Sequence, residues 1–249
     1  MNQSNPFKSA QNEFQKHLES TGRATATILA YTKDIEQLLE FVAKTGKTNP
    51  QQVDTQDINQ FKDFLAEKNY TAKSISRKIN SIKSFFRYLQ TQKQIETNPA
   101  TSVTHPKYQL KPPRILSRIE YRALRDACRD DIRVSAIVEL LLQTGMRIGE
   151  LANLNIGDLD LEENKISIRA YESHPSRVIP LNASAKESLK LYLTERPKTE
   201  TKNVFITKNG NPFLVRNIRS SIDRYFRIAG IEAAKVNDLR HTFIAHQLT

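Results

Sequence analysis

Between Lys68 and Lys93 the 249-residue chain carries seven basic residues and no acidic one. Lys73, Arg77, Asn80, Ser84 and Arg87 recur at steps of 4, 3, 4 and 3 and fall on one helix face, flanked by Lys78 and Lys83. A solvated helix face ordinarily mixes both signs. A stripe of one sign suits a row of phosphates, where ammonium and guanidinium groups displace condensed counterions. The whole chain agrees, since 38 Lys+Arg against 27 Asp+Glu leave a net charge of +11 and call for a polyanionic partner. Cys128 is the only cysteine, which excludes a disulfide framework and a Cys-based zinc site. No metal, cofactor or small-molecule substrate is expected. The longest apolar run, Ile137 to Leu142, is broken by Glu139 and is too short to span a bilayer. The opening MNQSNPFKSAQ has no apolar signal region. A cytoplasmic protein with no membrane partner is therefore expected.

The elements that must carry the stripe follow from periodicity. Phe7, Phe14 and Leu18 share one face of a first helix, and Ile28, Tyr31, Ile35, Leu38, Leu39 and Val42 mark a stronger second one. Asp54 or Thr55 caps a third, with Ile58, Phe61 and Leu65 on its apolar side. The stripe helix runs from about Lys73 to Leu89 and has Ile75, Ile79, Ile82, Phe86 and Leu89 on its other face. Four prolines (Pro99, Pro106, Pro112, Pro113) then exclude regular helix over 97–114 and predict an extended linker carrying Lys107, Lys111 and Arg114. The second half opens at Ser117, with Glu120 in capping-box spacing. The apolar helix VSAIVELLLQTG ends at Gly145. Strand-like alternation at Ile166, Ile168 and Val178 predicts a small antiparallel sheet. Helices follow over NASAKESLKLYLTERP and around Val215, Ile218, Ile222, Tyr225 and Phe226, separated by a turn at Asn209-Gly210. The last of these has Arg216, Arg219, Arg224 and Arg227 against Asp223 on its polar side. The fold class is mainly α with one small antiparallel β-sheet: a helical domain over 1–96, the linker 97–114, and a second domain over 115–249.

Two strings carry a resemblance: Thr144-Gly-Met-Arg-Ile-Gly-Glu-Leu151 and, ninety residues later, Asn237-Asp-Leu-Arg-His-Thr-Phe243. With SISRKINSIKSFFRYL before Asn98-Pro-Ala100, then ILSRIEY, Arg-Val-Ile-Pro-Leu181, NVFITKNGNPF and AGIEA in order, the chain resembles the tyrosine recombinases of the phage integrase and Xer type. The resemblance implies a helical SAM-like core-binding domain and an integrase-type catalytic domain that enclose double-stranded DNA, with self-association as tetramers on it. It also implies strand breaking and rejoining in DNA integration and recombination. In that chemistry two arginines grip the scissile phosphate, a tyrosine attacks it, and a lysine protonates the departing 5′-oxygen. Guanidinium forks match the non-bridging oxygens of a pentacoordinate phosphorane as lysine cannot, and the leaving alkoxide needs a proton. Arg147 falls on the first family arginine, where a helix start would favour an anion, or else pairs with Glu150 one turn along. Arg240 falls on the second. His241 follows it, as a packing group or a catalytic histidine, and His246 reads as structural.

Three positions depart from the family pattern. Asn237 stands where the family has histidine, and an amide can donate to phosphate but cannot act as a base. The family lysine of the sheet hairpin falls on Glu172 or Tyr171 according to register, and AYESHPS holds no lysine; Arg169, Lys165 and His174 are the substitutes at hand. All eight tyrosines precede Arg240, and Thr249 lies nine residues beyond it. HTFIAHQLT stops in mid-helix, which reads as a cut. The expectation is an integrase-type recombinase that in these 249 residues binds DNA without cleaving it. The alternative is a catalytically silent DNA-binding relative with an architectural or regulatory role.

Overall fold

The computed structural model describes residues 5–109, 112–171 and 174–248. The backbone divides into two compact units, Met1–Leu110 and Lys111–Thr249.

The first unit consists of α1 (Pro6–Ser20), α2 (Thr25–Ala43), α3 (Thr55–Glu67) and α4 (Ala72–Thr91), with a 3₁₀ turn at Pro50–Gln52 before α3. Local chemistry sets the starts. Asn5 accepts a hydrogen bond from the Phe7 N–H ahead of Pro6, and Thr71 accepts from the Ser74 N–H. Asp54 and Asp57 exchange bonds as a capping box, the Asp57 N–H to Asp54 at 2.9 Å and the Asp54 N–H to Asp57 at 2.8 Å. The apolar faces meet in one core, in which Phe14, Phe61, Phe85, Phe86, Ile35 and Leu38 are fully buried. Each such phenylalanine contributes about 2–3 kcal/mol on burial. Ala100 and Val103 complete this core, and the Thr55 hydroxyl donates to the Pro99 carbonyl at 2.8 Å. The proline-rich stretch thus begins as part of the first unit.

The second unit contains α5 (Arg118–Ala127), α6 (Ile132–Thr144), the one-turn α7 (Ile148–Ala152), strands β1 (Leu159–Asp160), β2 (Lys165–Ile168) and β3 (Arg177–Pro180), then α8 (Ala183–Glu195), α9 (Val215–Ile228) and α10 (Val236–Leu248). Ser117 and Glu120 form the capping box of α5. Helix α6 is apolar on nearly every side, as a helix enclosed by others must be, and α5, α8, α9 and α10 pack around it. Its one acid, Glu139, is buried but accepts from Arg125 Nε at 2.8 Å and from the Ser184 hydroxyl.

The sheet is antiparallel in the order β1-β2-β3, with Ile166 opposite Ile179 and Ile168 opposite Arg177. This register corrects the expected alternation: Ile179 points into the core and Val178 is 61% exposed. Because side chains alternate along a strand, Arg177 shares the inward face with Ile179. The short β1 and α7 carry too few residues to show a period.

Candidate functional site

Gly145 ends α6 in the left-handed region (φ +59°). A side chain there would also collide with the ring of Phe243 on α10, so both the backbone angle and the close approach require glycine. At the same junction Arg240 Nη1 of α10 donates to the Gly145 carbonyl. Arg147 follows two residues later as the N-cap of α7, and the two sequence strings thus meet at one point of the fold.

Glu150 lies at the centre, its side chain 0% exposed. Its Oε2 accepts from the Arg147 N–H at 2.8 Å, its Oε1 from Arg147 Nη1 at 3.3 Å, and both oxygens accept from Arg177 Nη1 and Nη2 at 2.7 and 2.8 Å. Burial pushes the Glu150 carboxyl up. The Arg177 hydrogen bonds, the Arg147 N–H and the two guanidinium charges outweigh it and hold the group at about 2. Burial and the neighbouring Arg147 charge lower Arg240 from its usual range, with Arg177 adding to the effect and Glu150 opposing it. Arg147 from the α7 cap and Arg177 from β3 therefore bind one carboxylate, and Arg240 of α10 is held at the Gly145 carbonyl beside them, so that the described residues of the site carry three arginines and one carboxylate. The surplus suits an oxyanion. Arg147 gains little from the helix start expected beside it, since α7 has only five residues and the Glu150 carboxylate already accepts from the Arg147 N–H in its first turn.

The other expected site residues fall as follows. Asn237 is exposed on the first turn of α10, three residues before Arg240 and so on the same face. His241 Nδ1 lies 3.5 Å from Asp238 Oδ1 but makes no hydrogen bond there. His246 is exposed near the end of α10. In the hairpin, Arg169 pairs with Asp158 at 2.7 Å and Lys165 with Asp160 at 3.2 Å. Tyr171 and His174 form an antiparallel bridge beyond the strands. The Tyr171 ring lies against Gly149, where a Cβ would come within 2.6 Å of it. Glu172, Leu110 and Lys111 lie outside the described residues.

On α4 the stripe is real but smaller than expected. Lys73, Arg87 and, further on, Lys107 are exposed. Arg77 is half-exposed and holds Asp34 with both Nη groups. Lys78 must be withdrawn from the stripe. Its side chain is 5% exposed, and its ammonium donates to Asp34 at 2.8 Å and to Gln37 at 2.6 Å. The cause is the buried Asp34 on α2, which also accepts from the Ser81 hydroxyl at 2.8 Å and needs cations around it. Lys83 is partly buried and reaches the Thr101 carbonyl at 3.5 Å. Asp34 and Arg177 were the residues that spacing did not single out. An acid among Tyr31, Ile35 and Leu38 was the one available signal for Asp34.

A four-helix unit bearing a cationic helix, joined in sequence to a helical unit whose small sheet and last helix supply arginines to one site, defines an integrase-type recombinase fold. The pattern of the Phage integrase family matches residues 114–248, and that of the phage integrase N-terminal SAM-like domain matches residues 12–93. The chain belongs to the phage integrase family. It is 31% identical to tyrosine recombinase XerC of Thermodesulfovibrio yellowstonii over 94% of this chain and 81% of that protein. It is also 31% identical to tyrosine recombinase XerD of Rickettsia bellii over 89% of this chain and 79% of that one. Among solved structures, a lambda integrase tetramer bound to a Holliday junction shares the fold with a TM-score of 0.75, at 17% identity over 96% of this chain and 71% of that one.

Proposed function

We propose that this chain works in site-specific DNA recombination. Arg147 and Arg240 engage a backbone phosphate of double-stranded DNA, and Lys73, Arg87 and Lys107 hold the flanking duplex, with Lys83 and the Asp34-bound Arg77 beside them adding positive charge. The observation that carries this reading is the meeting of Arg147 and Arg240 at the Gly145 junction, with Arg147 and Arg177 both on the Glu150 carboxylate. Two guanidinium forks can take the non-bridging oxygens of a phosphodiester and hold charge that develops there. Asn237, on the Arg240 face of α10, adds a hydrogen-bond donor and no base.

Assayed as these 249 residues, the protein holds DNA without cutting it. No tyrosine follows Arg240, and the hairpin cations Lys165 and Arg169 are engaged by acids. Losing one electrostatic donor costs roughly 10²–10³ in rate. Losing the nucleophile removes the covalent route altogether unless another protomer supplies it. Self-association on DNA fits the family's tetramers. A cytoplasmic site of action is part of the proposal, since the substrate is DNA; among the described residues no helix is long and apolar enough to cross a membrane. The second reading, a silent architectural or regulatory relative, is favoured by Asn237 and by the hairpin that lacks lysine. The test is a nicked half-site duplex incubated with the chain. Retardation on a native gel with no covalent adduct on a denaturing gel is expected. An adduct at any internal tyrosine would overturn the silence, and absence of retardation would overturn the DNA grip.

A further inference from the structure

The Glu150 carboxylate has two guanidiniums within reach, and they are not equally bound. Arg177 meets it fork on fork, at 2.7 and 2.8 Å. The Arg147 side chain makes a single contact of 3.3 Å, to the oxygen that Arg177 Nη1 already holds. Arg147's closer bond to Glu150, at 2.8 Å, comes from its backbone N–H and leaves the guanidinium with only the longer contact. The carboxylate is fully buried, whereas Arg147 and Arg177 are 35% and 34% exposed. A buried carboxylate demands a partner. If Arg177 were missing, the nearest cation would be Arg147, tethered one helical turn away. Its two parallel donors would then turn inward, where they cannot meet a phosphate.

We infer that Arg177 is a positioning residue: by occupying Glu150 it keeps the Arg147 fork free for the DNA phosphate. The inference rests on the phosphate role proposed for Arg147. It accounts for a cation at the first residue of β3, where the register opposite Ile168 turns the side chain toward the inward face and so to the carboxylate of α7. Arg177 itself is poorly placed to bind phosphate, since both of its terminal nitrogens are on Glu150.

The test uses the full chain, a labelled duplex of arbitrary sequence and moderate salt, and five proteins: wild type, R147A, R177A, E150Q/R177A and E150Q/R147A. R147A should bind about tenfold more weakly, the effect of losing one charged phosphate contact, and R177A nearly as weakly. E150Q/R177A should recover to near wild type, because the captor of Arg147 has lost its charge. E150Q/R147A should stay weak, which shows that the recovery needs Arg147 and is not a general gain from removing an acid. R177A leaves a buried carboxylate short of a partner and could fail to fold. E150Q/R177A has no such charge and decides the matter alone. If it binds as weakly as R147A, Arg177 is a phosphate ligand or a structural residue and the inference is overturned. If R147A binds like wild type, the phosphate reading falls, and the inference falls with it.

Discussion

Replacing Glu150 by glutamine removes the negative charge that Arg147 and Arg177 share. The carboxyl sits at about 2 instead of its ordinary 4.5. At about 1.4 kcal/mol per factor of ten, that difference is worth about 3 kcal/mol of folding stability at neutral pH. The sign follows from proton counting. Between 4.5 and 2 the unfolded chain binds a proton at Glu150 that the folded chain does not. The contribution is therefore complete above about pH 4.5 and is lost as the pH falls through about 2. Urea unfolding of wild type and E150Q, following the transition of the second unit from about pH 7 to about pH 2.5, isolates this group from the other acids. The gap between the two proteins should be about 3 kcal/mol at pH 7 and should shrink steadily below pH 4.5. A gap of the same size at pH 7 and pH 3, or none at pH 7, would refute the ion-pair account of Glu150.

Changing Lys73 and Arg87 together to alanine should lower the slope of log affinity against log salt by about 2, at roughly 0.9 per phosphate, whereas Arg77 is held on Asp34 by both Nη groups and should add little. K78A should leave that slope unchanged and cost about 3 kcal/mol of stability instead, since Lys78 serves the buried Asp34. G145A should destabilise the second unit by more than about 2 kcal/mol, because it combines a left-handed angle with a collision at Phe243; thermal melting would read it, and a change within about 0.5 kcal/mol would contradict the close approach. Cys128 is buried, which pushes its thiol to about 11. It should therefore resist iodoacetamide at about pH 8 in the folded chain and react once urea unfolds it.

The helices were legible because their apolar residues recur at steps of three and four and two of their starts carry Asp54 or Ser117. The strand faces were less so. Val178 and Ile179 are adjacent β-branched residues, and alternation alone cannot say which one turns inward until Ile166 supplies the register. Charge type failed at Lys78, for a lysine on a basic helix reads as surface, and only the distant Asp34 makes its burial possible. The site was half legible. The TGMRIGEL and NDLRHTF strings marked Arg147 and Arg240 through family resemblance, and the fold brings Arg240, near the end of the second unit, back to Gly145 beside Arg147. Spacing could not show that Glu150 is shared with Arg177, because that pair is closed by the sheet register and the packing of α7, neither of which leaves a local pattern.

The most direct test of the central claim is the salt dependence of duplex binding by wild type and by R147A/R240A. Loss of two phosphate contacts should lower the slope of log affinity against log salt by about 2 and weaken binding at every salt concentration. Identical slopes and affinities for the two proteins would show that these arginines do not hold a phosphate.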